Sequence, residues 1–221
     1  MRLVGPLLLL LLAVAVAGHR FWLSPAWDPT QPFDFRARPT PVTRLKIMLL
    51  NRDEALCRAA LTTAPLALHP APVSGACPVP DAVRVTNGVV PTRPGSFLAS
   101  CRLAVDWALF ERDVVVPETR AFYGAAPQAV THVGSYDCRD VRDRPGRLSA
   151  HARADAIDVS GIVLANGRNI LVSAWHGPDS AFLHRLRDGA CRFFGIVLSP
   201  DYNALHAAHL HLEASGWGMC R

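Results

Sequence analysis

The residues best suited to chemistry lie in two histidine-containing segments in the C-terminal third of the chain. The first is Ser-Ala-His-Ala-Arg-Ala-Asp-Ala-Ile-Asp, residues 149–158, and the second is His-Ala-Ala-His-Leu-His, residues 206–211. Imidazole nitrogens and carboxylate oxygens are ordinary ligands of Zn2+. A zinc ion held by three protein ligands keeps one position open for water, whereas structural zinc sites are closed by four. A His–Asp–His set drawn from both segments would therefore suit hydrolysis.

Local geometry indicates how the two segments could meet. Residues two apart on a strand point the same way, so His209, His211 and Glu213 would share one face. His206 would lie at the turn leading into that strand. His151 and Asp158 could converge if the chain turns near residue 154 and then enters a strand.

Each of these elements also has a non-catalytic interpretation. An H-x-H pattern occurs in surface and core histidines, and the aspartate of Ala-Ile-Asp-Val could cap a strand or bond a turn. Ser149 and His151 could suggest a nucleophile and its base. Adjacent-strand geometry, however, points alternate residues the same way rather than toward each other, so we do not favour serine catalysis.

The N-terminus predicts a secretory signal peptide over residues 1–17. It combines an early positive charge at Arg2, an apolar run from Leu7 to Ala17, and small residues near the end. The apolar run is shorter than the roughly 20 residues that a membrane span requires. An uncleaved anchor is the alternative. We expect the remainder to be exported and soluble, in the periplasm or outside the cell, with no further membrane span.

Six cysteines in an exported chain predict up to three disulfides. Six cysteines allow 15 connectivities, and the sequence does not choose among them. The expectation is a sequential pairing: Cys57–Cys77, Cys101–Cys138 and Cys191–Cys220. Cysteine ligation of zinc is disfavoured because the chain contains no C-x-x-C pair.

The net charge of +5 comes almost entirely from arginine, since Lys46 is the only lysine. Nucleic-acid binding would need a basic stripe interleaved with aromatic residues, and none stands out. The densest basic stretch, residues 139–147, is mixed with Asp137, Asp140 and Asp143. Mixed charge of this kind predicts a solvated loop.

Periodicity predicts an α+β fold with a mainly antiparallel sheet and packed helices. Residues 18–44 are rich in proline and aromatics and are predicted to form an extended arm before a domain at 45–221. The predicted helices are 53–63, with Asn51 or Asp53 at the start, 96–110, and 180–192. The predicted strands are 45–50, 82–86, 130–133, 161–164 and 169–173 around an Asn-Gly turn, 193–198, and the histidine-rich strand.

The first histidine segment resembles a known signature. Ser149-x-His151-x-x-Ala154-x-Ala156-x-Asp158 is similar to the S-x-H-x-x-G-x-A-x-D motif of the LAS metallopeptidases, which include D-Ala-D-Ala peptidases and the hedgehog domain. His209-x-His211 resembles their H-x-H element, and residues 134–139 resemble an S-G-Y-R segment. Residues 57–221 are most similar to the bacterial extensin-like C-terminal domain family, through these motifs, Pro-Asp-Tyr-Asn at 200–203 and the terminal Cys-Arg.

The resemblance implies a role for each matching position. It implies a hedgehog/DD-peptidase-like fold in which His151, Asp158 and His211 ligate Zn2+. His209 matches a general base or a residue that stabilises the attacking water, and His206 a further active-site histidine. Arg139 falls near an arginine that holds substrate or the developing oxyanion. The chain departs from the family pattern at two places. Asp137 and Cys138 intervene differently before Arg139, and Ala154 replaces the usual glycine and could alter the turn there.

Two functions follow as expectations. The first is a zinc-dependent peptidase that cleaves peptidoglycan peptides, as a DD-carboxypeptidase or an endopeptidase. The second is a non-catalytic zinc-containing domain that binds or organises the cell wall. A metal-handling protein is a weaker third interpretation, because it would need more surface histidines. No other cofactor is expected.

Overall fold

The computed structural model describes residues 4–50, 52–142, 144–216 and 218–221. The chain divides into two compact units, Met1–Thr63 and Ala64–Arg221. The predicted signal peptide begins in residues 1–3, which lie outside the described residues, as does the alternative helix start at Asn51. Asp143, part of the predicted basic loop, also lies outside them.

The first unit contains short helices joined by turns. They are α1 (Val4–Ala17), α2 (His19–Trp22), α3 (Thr43–Leu50) and α4 (Glu54–Leu61). The Lys46 ammonium group donates hydrogen bonds to the carbonyl oxygens of Pro25 and Pro32. This buried amine therefore joins the proline-rich segment to α3. Within the described residues, no helix has the length and apolar character needed to cross a membrane.

The predicted strand at 45–50 is wrong, because these residues form the greater part of α3. Lys46 and Leu50 are the buried positions of that helix, a spacing of four that suits a helix. A short apolar run does not distinguish a strand from a helix by itself. The next helix agrees with its prediction, since Asp53 Oδ1 accepts hydrogen bonds from the backbone N–H groups of Ala55 and Leu56.

The second unit is a mixed α+β structure, as the sequence predicted. Its helices are α5 (Cys101–Phe110), α6 (Val116–Tyr123) and α7 (Ser180–Ala190), with a π-helical turn at Glu111–Val115. Its first strands are β1 (Ala67–Pro70), β2 (Val83–Asn87), β3 (Thr92–Arg93), β4 (Phe97–Ala99), β5 (Pro127–His132) and β6 (Asp140–Val141). The remaining strands are β7 (Arg144–Leu148), β8 (Ala156–Leu164), β9 (Asn169–Leu171), β10 (Ile196–Leu198), β11 (Leu210–Glu213) and β12 (Met219–Cys220).

The largest sheet has the strand order β12-β10-β11-β8-β5-β3, and β9 also pairs with β8. Its pairings are antiparallel except β10–β12 and β3–β5, which are parallel. A smaller sheet has the order β1-β2-β4, and β6 and β7 form a separate hairpin. Strands β8 and β11 are therefore central neighbours, and they carry the second halves of the two motifs.

Helix α5 supplies much of the core of this unit. Every residue of α5 except Arg102 is buried, and the helix contacts β2 and β4. The prediction placed its start at Ser96, but the helix begins at Cys101 because Ser100 accepts a hydrogen bond from the Leu103 N–H and caps it. Residues 97–99 instead pair with β2 as strand β4.

Two of the three predicted disulfide pairings are wrong. Cys191 bonds to Cys220 as predicted, but Cys77 bonds to Cys138 across 61 residues of sequence. The predicted Cys57–Cys77 and Cys101–Cys138 pairs are therefore excluded. Cys57 and Cys101 are themselves disulfide-bonded, and no free cysteine is present in the described chain. Sequence order did not predict these pairs because the fold brings distant segments together.

Candidate metal centre

Register between the two central strands brings the two motifs together. In the antiparallel pair of β8 and β11, Asp158 lies directly opposite His211. Leu210 and Leu212 are buried, whereas His211 and Glu213 are part-exposed on the alternate face. The strand therefore places its apolar side chains in the core and its polar ones at a shared surface.

A short 3-10 helix, Ala150–Arg153, carries the third residue of the cluster. Ser149 caps it by accepting a hydrogen bond from the His151 N–H. The chain then turns at Ala154, whose φ of 52° and ψ of 30° are left-handed. Alanine thus adopts the left-handed conformation that glycine would adopt without a steric penalty. The turn returns the chain to β8, so that His151 approaches Asp158.

The three side chains expected to bind metal converge on one point. The ligand atoms offered by His151, Asp158 and His211 all lie within 4.8 Å of one another. His211 Nδ1 is 2.9 Å from Asp158 Oδ1 and 3.2 Å from His151 Nε2. His151 Nε2 is 3.4 Å from Asp158 Oδ1. This arrangement offers two nitrogens and one oxygen to a single cation.

The outer nitrogens of both ligand histidines are held by acceptors. His151 Nδ1 donates to the Ser135 carbonyl oxygen at 3.1 Å, and His211 Nε2 faces Glu213 Oε2 at 3.4 Å. Ser215 Oγ donates in turn to Glu213 Oε1 at 2.7 Å. Histidines that ligate metal almost always donate their second N–H to a carbonyl or a carboxylate, which fixes the ring and its tautomer. The donor set therefore fits a metal ion.

The charges of the cluster reinforce one another. Burial opposes ionisation of Asp158, but hydrogen bonds from His151 and His211 outweigh it and hold the Asp158 pKa well below its usual range. Burial also opposes protonation of His211, yet Asp158 and Glu213 raise the His211 pKa to about 9. Burial raises the pKa of Glu213, and the hydrogen bonds from His211 and Ser215 reverse that effect to leave it lowered. The carboxylates are therefore ionised at neutral pH.

The two further histidines of the motif lie beside the ligand set. His209 Nε2 is 3.6 Å from Asp158 Oδ1. The ring centroid of His206 is 5.3 Å from that of His209 and 5.9 Å from that of His211. Residue 206 ends a 3-10 turn, Ala204–His206, that leads into β11, as the sequence predicted. The structure thus brings both predicted catalytic histidines beside the cluster of His151, Asp158 and His211.

Both of these histidines are neutral at pH 7. Burial lowers the pKa of His206 to about 4, and the nearby charges of His211, His209 and Arg142 add to the effect. Burial also lowers the pKa of His209, although the Asp158 carboxylate partly offsets it. A neutral imidazole can accept a proton, which is what a general base must do.

Arg139 forms an ion pair with a nearby acidic residue. Its Nε donates to Asp137 Oδ2 at 2.8 Å, and the side chain is 40% exposed. Arg142, at the turn between β6 and β7, is exposed and close enough to influence the pKa of both His206 and His209. The β6–β7 turn therefore contributes the charge of Arg142 to the electrostatics of the site, whereas the sequence predicts only a solvated loop there.

Sequence reasoning did not select Ser135 or Glu213 as site residues. Glu213 had a usable signal, because His-x-His-x-Glu on a strand places all three residues on one face. Ser135 contributes only its backbone carbonyl oxygen. No side-chain pattern could have predicted that contact, since the contribution does not depend on residue type.

The comparisons with known proteins agree with the family that the motifs indicated. The family model for the extensin-like protein C-terminus matches residues 55–221, which includes every residue of the cluster. The chain belongs to this family. No curated protein and no solved structure gives a significant match.

Proposed function

We propose that this member of the extensin-like family is a zinc-dependent peptidase that hydrolyses peptidoglycan peptides, as a DD-carboxypeptidase or an endopeptidase. The observation that carries the proposal is the convergence of His151, Asp158 and His211 beside two further neutral histidines. A structural zinc site would use a fourth protein ligand and would not need a base next to it. The motif order also supports a LAS metallopeptidase relationship and a hedgehog/DD-peptidase-like fold as parts of this proposal.

His151 Nε2, Asp158 Oδ1 and His211 Nδ1 would hold the metal. When bound, Zn2+ supplies Lewis-acid polarisation of a carbonyl group and acidifies water to a pKa of about 7. Ser135 and Glu213 keep the two ligand rings oriented through their outer nitrogens. The remaining chemistry belongs to the side chains around this set.

His209 is the candidate general base. As a neutral imidazole beside Asp158, it would accept a proton from the attacking water and return it to the leaving amine. Arg142 and Arg139 are candidates for contact with a substrate carboxylate or a developing oxyanion, because guanidinium groups donate two parallel hydrogen bonds to such groups. Arg142 has the stronger structural support because its charge reaches both histidines.

The disulfides support a location outside the cytoplasm. Disulfides persist in oxidising compartments such as the periplasm and the extracellular space. The Tyr136 hydroxyl donates to the Cys77 carbonyl oxygen, so the Cys77–Cys138 bridge is joined to the segment that precedes the metal ligands. We propose a periplasmic or extracellular protein with peptidoglycan as its partner.

The first test is the metal content of the purified protein. We expect about one zinc ion per chain in the wild type, and its loss in His211→Ala, by elemental analysis. His69→Ala is the matched control, because His69 is an exposed histidine on β1 that should leave zinc content unchanged. A folded wild-type protein that binds no zinc after incubation with the ion would refute both the peptidase and a zinc-containing wall module.

The second test separates catalysis from binding. Zinc-loaded protein should release new amino groups from isolated peptidoglycan, and His209→Ala should lower that rate by about 10²–10⁴-fold while it keeps its zinc. Zinc binding and wall binding without any release would support the non-catalytic alternative. Equal rates in the wild type and in His209→Ala would remove His209 from the mechanism.

A further inference from the structure

The Pro-Asp-Tyr-Asn run at residues 200–203 is anchored to the second unit before it reaches the histidines. Asp201 Oδ1 accepts from Trp175 Nε1 at 2.8 Å, and Asp201 Oδ2 accepts from Arg187 at 3.1 Å. Trp175 is buried, and the Arg187 guanidinium lies over its ring. These contacts fix the start of the loop, so the residues after Asp201 have a defined position relative to the sheet.

Asn203 accepts two hydrogen bonds that together determine the tautomer of His206. Its Oδ1 is 3.0 Å from the backbone nitrogen of Leu205 and 2.7 Å from His206 Nδ1. A backbone N–H can only donate, so the Asn203 atom that faces it must be the oxygen. The same oxygen can only accept from His206, so Nδ1 must carry the hydrogen. In the neutral ring, Nε2 is then an acceptor with a free lone pair.

The ring held in this way lies against the candidate site. Tyr202 packs on it with ring centroids 5.5 Å apart, and His209 and His211 lie at 5.3 and 5.9 Å. His209 has no comparable support, because within the described chain its ring makes no hydrogen bond, and its Nε2 is 3.6 Å from Asp158 Oδ1. Of the two histidines beside the ligands, His206 is the one whose donor and acceptor nitrogens are assigned by the fold.

We propose that Asn203 is a positioning residue that holds His206 as the Nδ1–H tautomer and presents Nε2 to the site as a hydrogen-bond acceptor. His206 Nε2 would accept a hydrogen bond from a donor group of the substrate, such as the amide N–H of a peptide. This second part rests on the proposed peptidase function, whereas the tautomer itself does not. Asn203 thereby links a rigidly anchored loop to the substrate side of the metal centre.

The test compares Asn203→Ala with Asn203→Asp in protein labelled with 15N-histidine. The 15N chemical shifts of His206 at pH 7.5 should show Nδ1 protonated in the wild type. Asn203→Ala should populate both tautomers, and Asn203→Asp should restore the Nδ1–H form because its carboxylate still accepts from the ring and from Leu205. Asn166→Ala is the matched control, since Asn166 also accepts from a backbone N–H, in the β8–β9 turn.

Zinc content and peptidoglycan hydrolysis are measured on the same variants. We expect zinc content to stay unchanged, kcat/KM to fall about tenfold in Asn203→Ala, and most of that loss to be recovered in Asn203→Asp, since a positioning residue contributes less than the roughly 10²–10⁴-fold of an acid or base itself. Unfolding transitions of all variants identify any loss of activity that comes from the lost hydrogen bond to the Leu205 N–H rather than from the His206 ring.

Several results would overturn the proposal. An unchanged His206 tautomer in Asn203→Ala would show that Asn203 does not hold the ring. A mixed tautomer with unchanged hydrolysis would show that Nε2 is not used as an acceptor. A wild type that neither binds zinc nor hydrolyses peptidoglycan would refute the proposed function, while the spectra would still decide whether Asn203 positions the ring.

Discussion

Two regions of the second unit bury carboxyl groups, and they treat them in opposite ways. At the metal centre, Asp158 is surrounded by histidines, and its pKa lies well below its usual range. In the helical layer, Asp106 of α5 and Glu111 of the following π-helical turn have pKa values that burial raises. Within the described chain, neither oxygen of Asp106 has a hydrogen-bond partner, and Glu111 Oε1 has none.

The difference shows that burial alone does not determine whether a carboxyl group is charged. Desolvation is the largest contribution at all three residues, and it raises every one of their pKa values. Only Asp158 has histidine side chains whose hydrogen bonds outweigh the effect of burial on its pKa. A carboxylate kept ionised beside histidines can bind a cation, whereas a carboxyl group kept neutral in a helix core serves packing. The comparison predicts that the same chemical change has opposite effects in the two regions.

The largest expected effect is a loss of stability on neutralising the metal-centre carboxylate. Asp158→Asn should lower the free energy of unfolding by about 3 kcal/mol at pH 7, because it removes the ionised partner that stabilises the protonated, part-buried His211. The pKa of Asp158 is lower in the folded protein than in the unfolded chain. The stability that its ionised form contributes is therefore present above the unfolded pKa of about 3.8 and decreases as the pH falls below that value. Denaturant unfolding of the metal-free protein measures it.

The control for this variant is Asp188→Asn, which neutralises a 58% exposed carboxylate paired with the adjacent Arg187. We expect it to change the free energy of unfolding by less than about 0.5 kcal/mol. Equal losses in the two variants would mean that the histidine cluster does not stabilise Asp158, and the contrast between the two regions would then disappear.

A smaller effect of opposite sign is expected in the helical layer. Burial raises the Glu111 pKa from 4.5 to about 8, so the unfolded chain releases this proton at a lower pH than the folded chain. The stability that the neutral Glu111 carboxyl group contributes is complete below pH 4.5 and is lost as the pH rises to about 8. Glu111→Gln should therefore raise the free energy of unfolding by about 2–3 kcal/mol at pH 7.

The pH dependence distinguishes this explanation from a packing effect. At pH 4 the Glu111 carboxyl group is neutral in both states, so Glu111→Gln should bring almost no gain there. Unfolding curves at pH 4 and pH 7 measure the difference. A gain of the same size at both values would assign the effect to side-chain packing and not to ionisation.

The smallest effect concerns zinc affinity at the metal centre. Metal binding must displace the proton of His211, whose pKa is about 9. The apparent zinc affinity should therefore increase about tenfold for each pH unit up to about pH 9 and level off above it. Competition with a chelator at pH 6, 7 and 8 measures the slope.

Glu213→Gln sharpens this test, because it removes a charge that raises the His211 pKa. The apparent zinc affinity of this variant should then level off at a lower pH than that of the wild type. Glu111→Gln is the control, since it neutralises a carboxyl group outside the cluster and should leave the profile unchanged. A flat affinity between pH 6 and 8 in the wild type would show that His211 does not lose a proton on binding.

Elements with a strong local signal were predicted well. The Asn166-Gly167 hairpin, the helix at Ser180–Ala190 and the histidine-rich strand all occur where the patterns indicated. Residues 45–50 were misassigned because a short apolar run fits either a strand or a helix. The start of α5 was misplaced because the cap at Ser100 depends on residues that also pair as a strand.

Long-range partners were predicted less well than local elements. The Cys77–Cys138 bridge joins segments 61 residues apart, and only the packed fold places their sulfur atoms together. Resemblance predicts Arg139 near the site, and the structure shows its ion pair with Asp137, whereas the charge of Arg142, which the sequence did not select, lowers the pKa of His206. Side-chain direction in an exposed hairpin depends on contacts that local sequence does not encode.

The sequence by itself determined the chemical types at the centre: two histidines and an aspartate for a metal, with two further histidines in the same short segment. It also determined that alternate residues near 209–213 would share a strand face. The tertiary structure alone decided that Asp158 lies opposite His211, that His151 bonds to the Ser135 carbonyl oxygen, and that His206 bonds to Asn203. Strand register, backbone carbonyls and loop anchoring depend on packing between distant segments, and residue spacing carries no information about them.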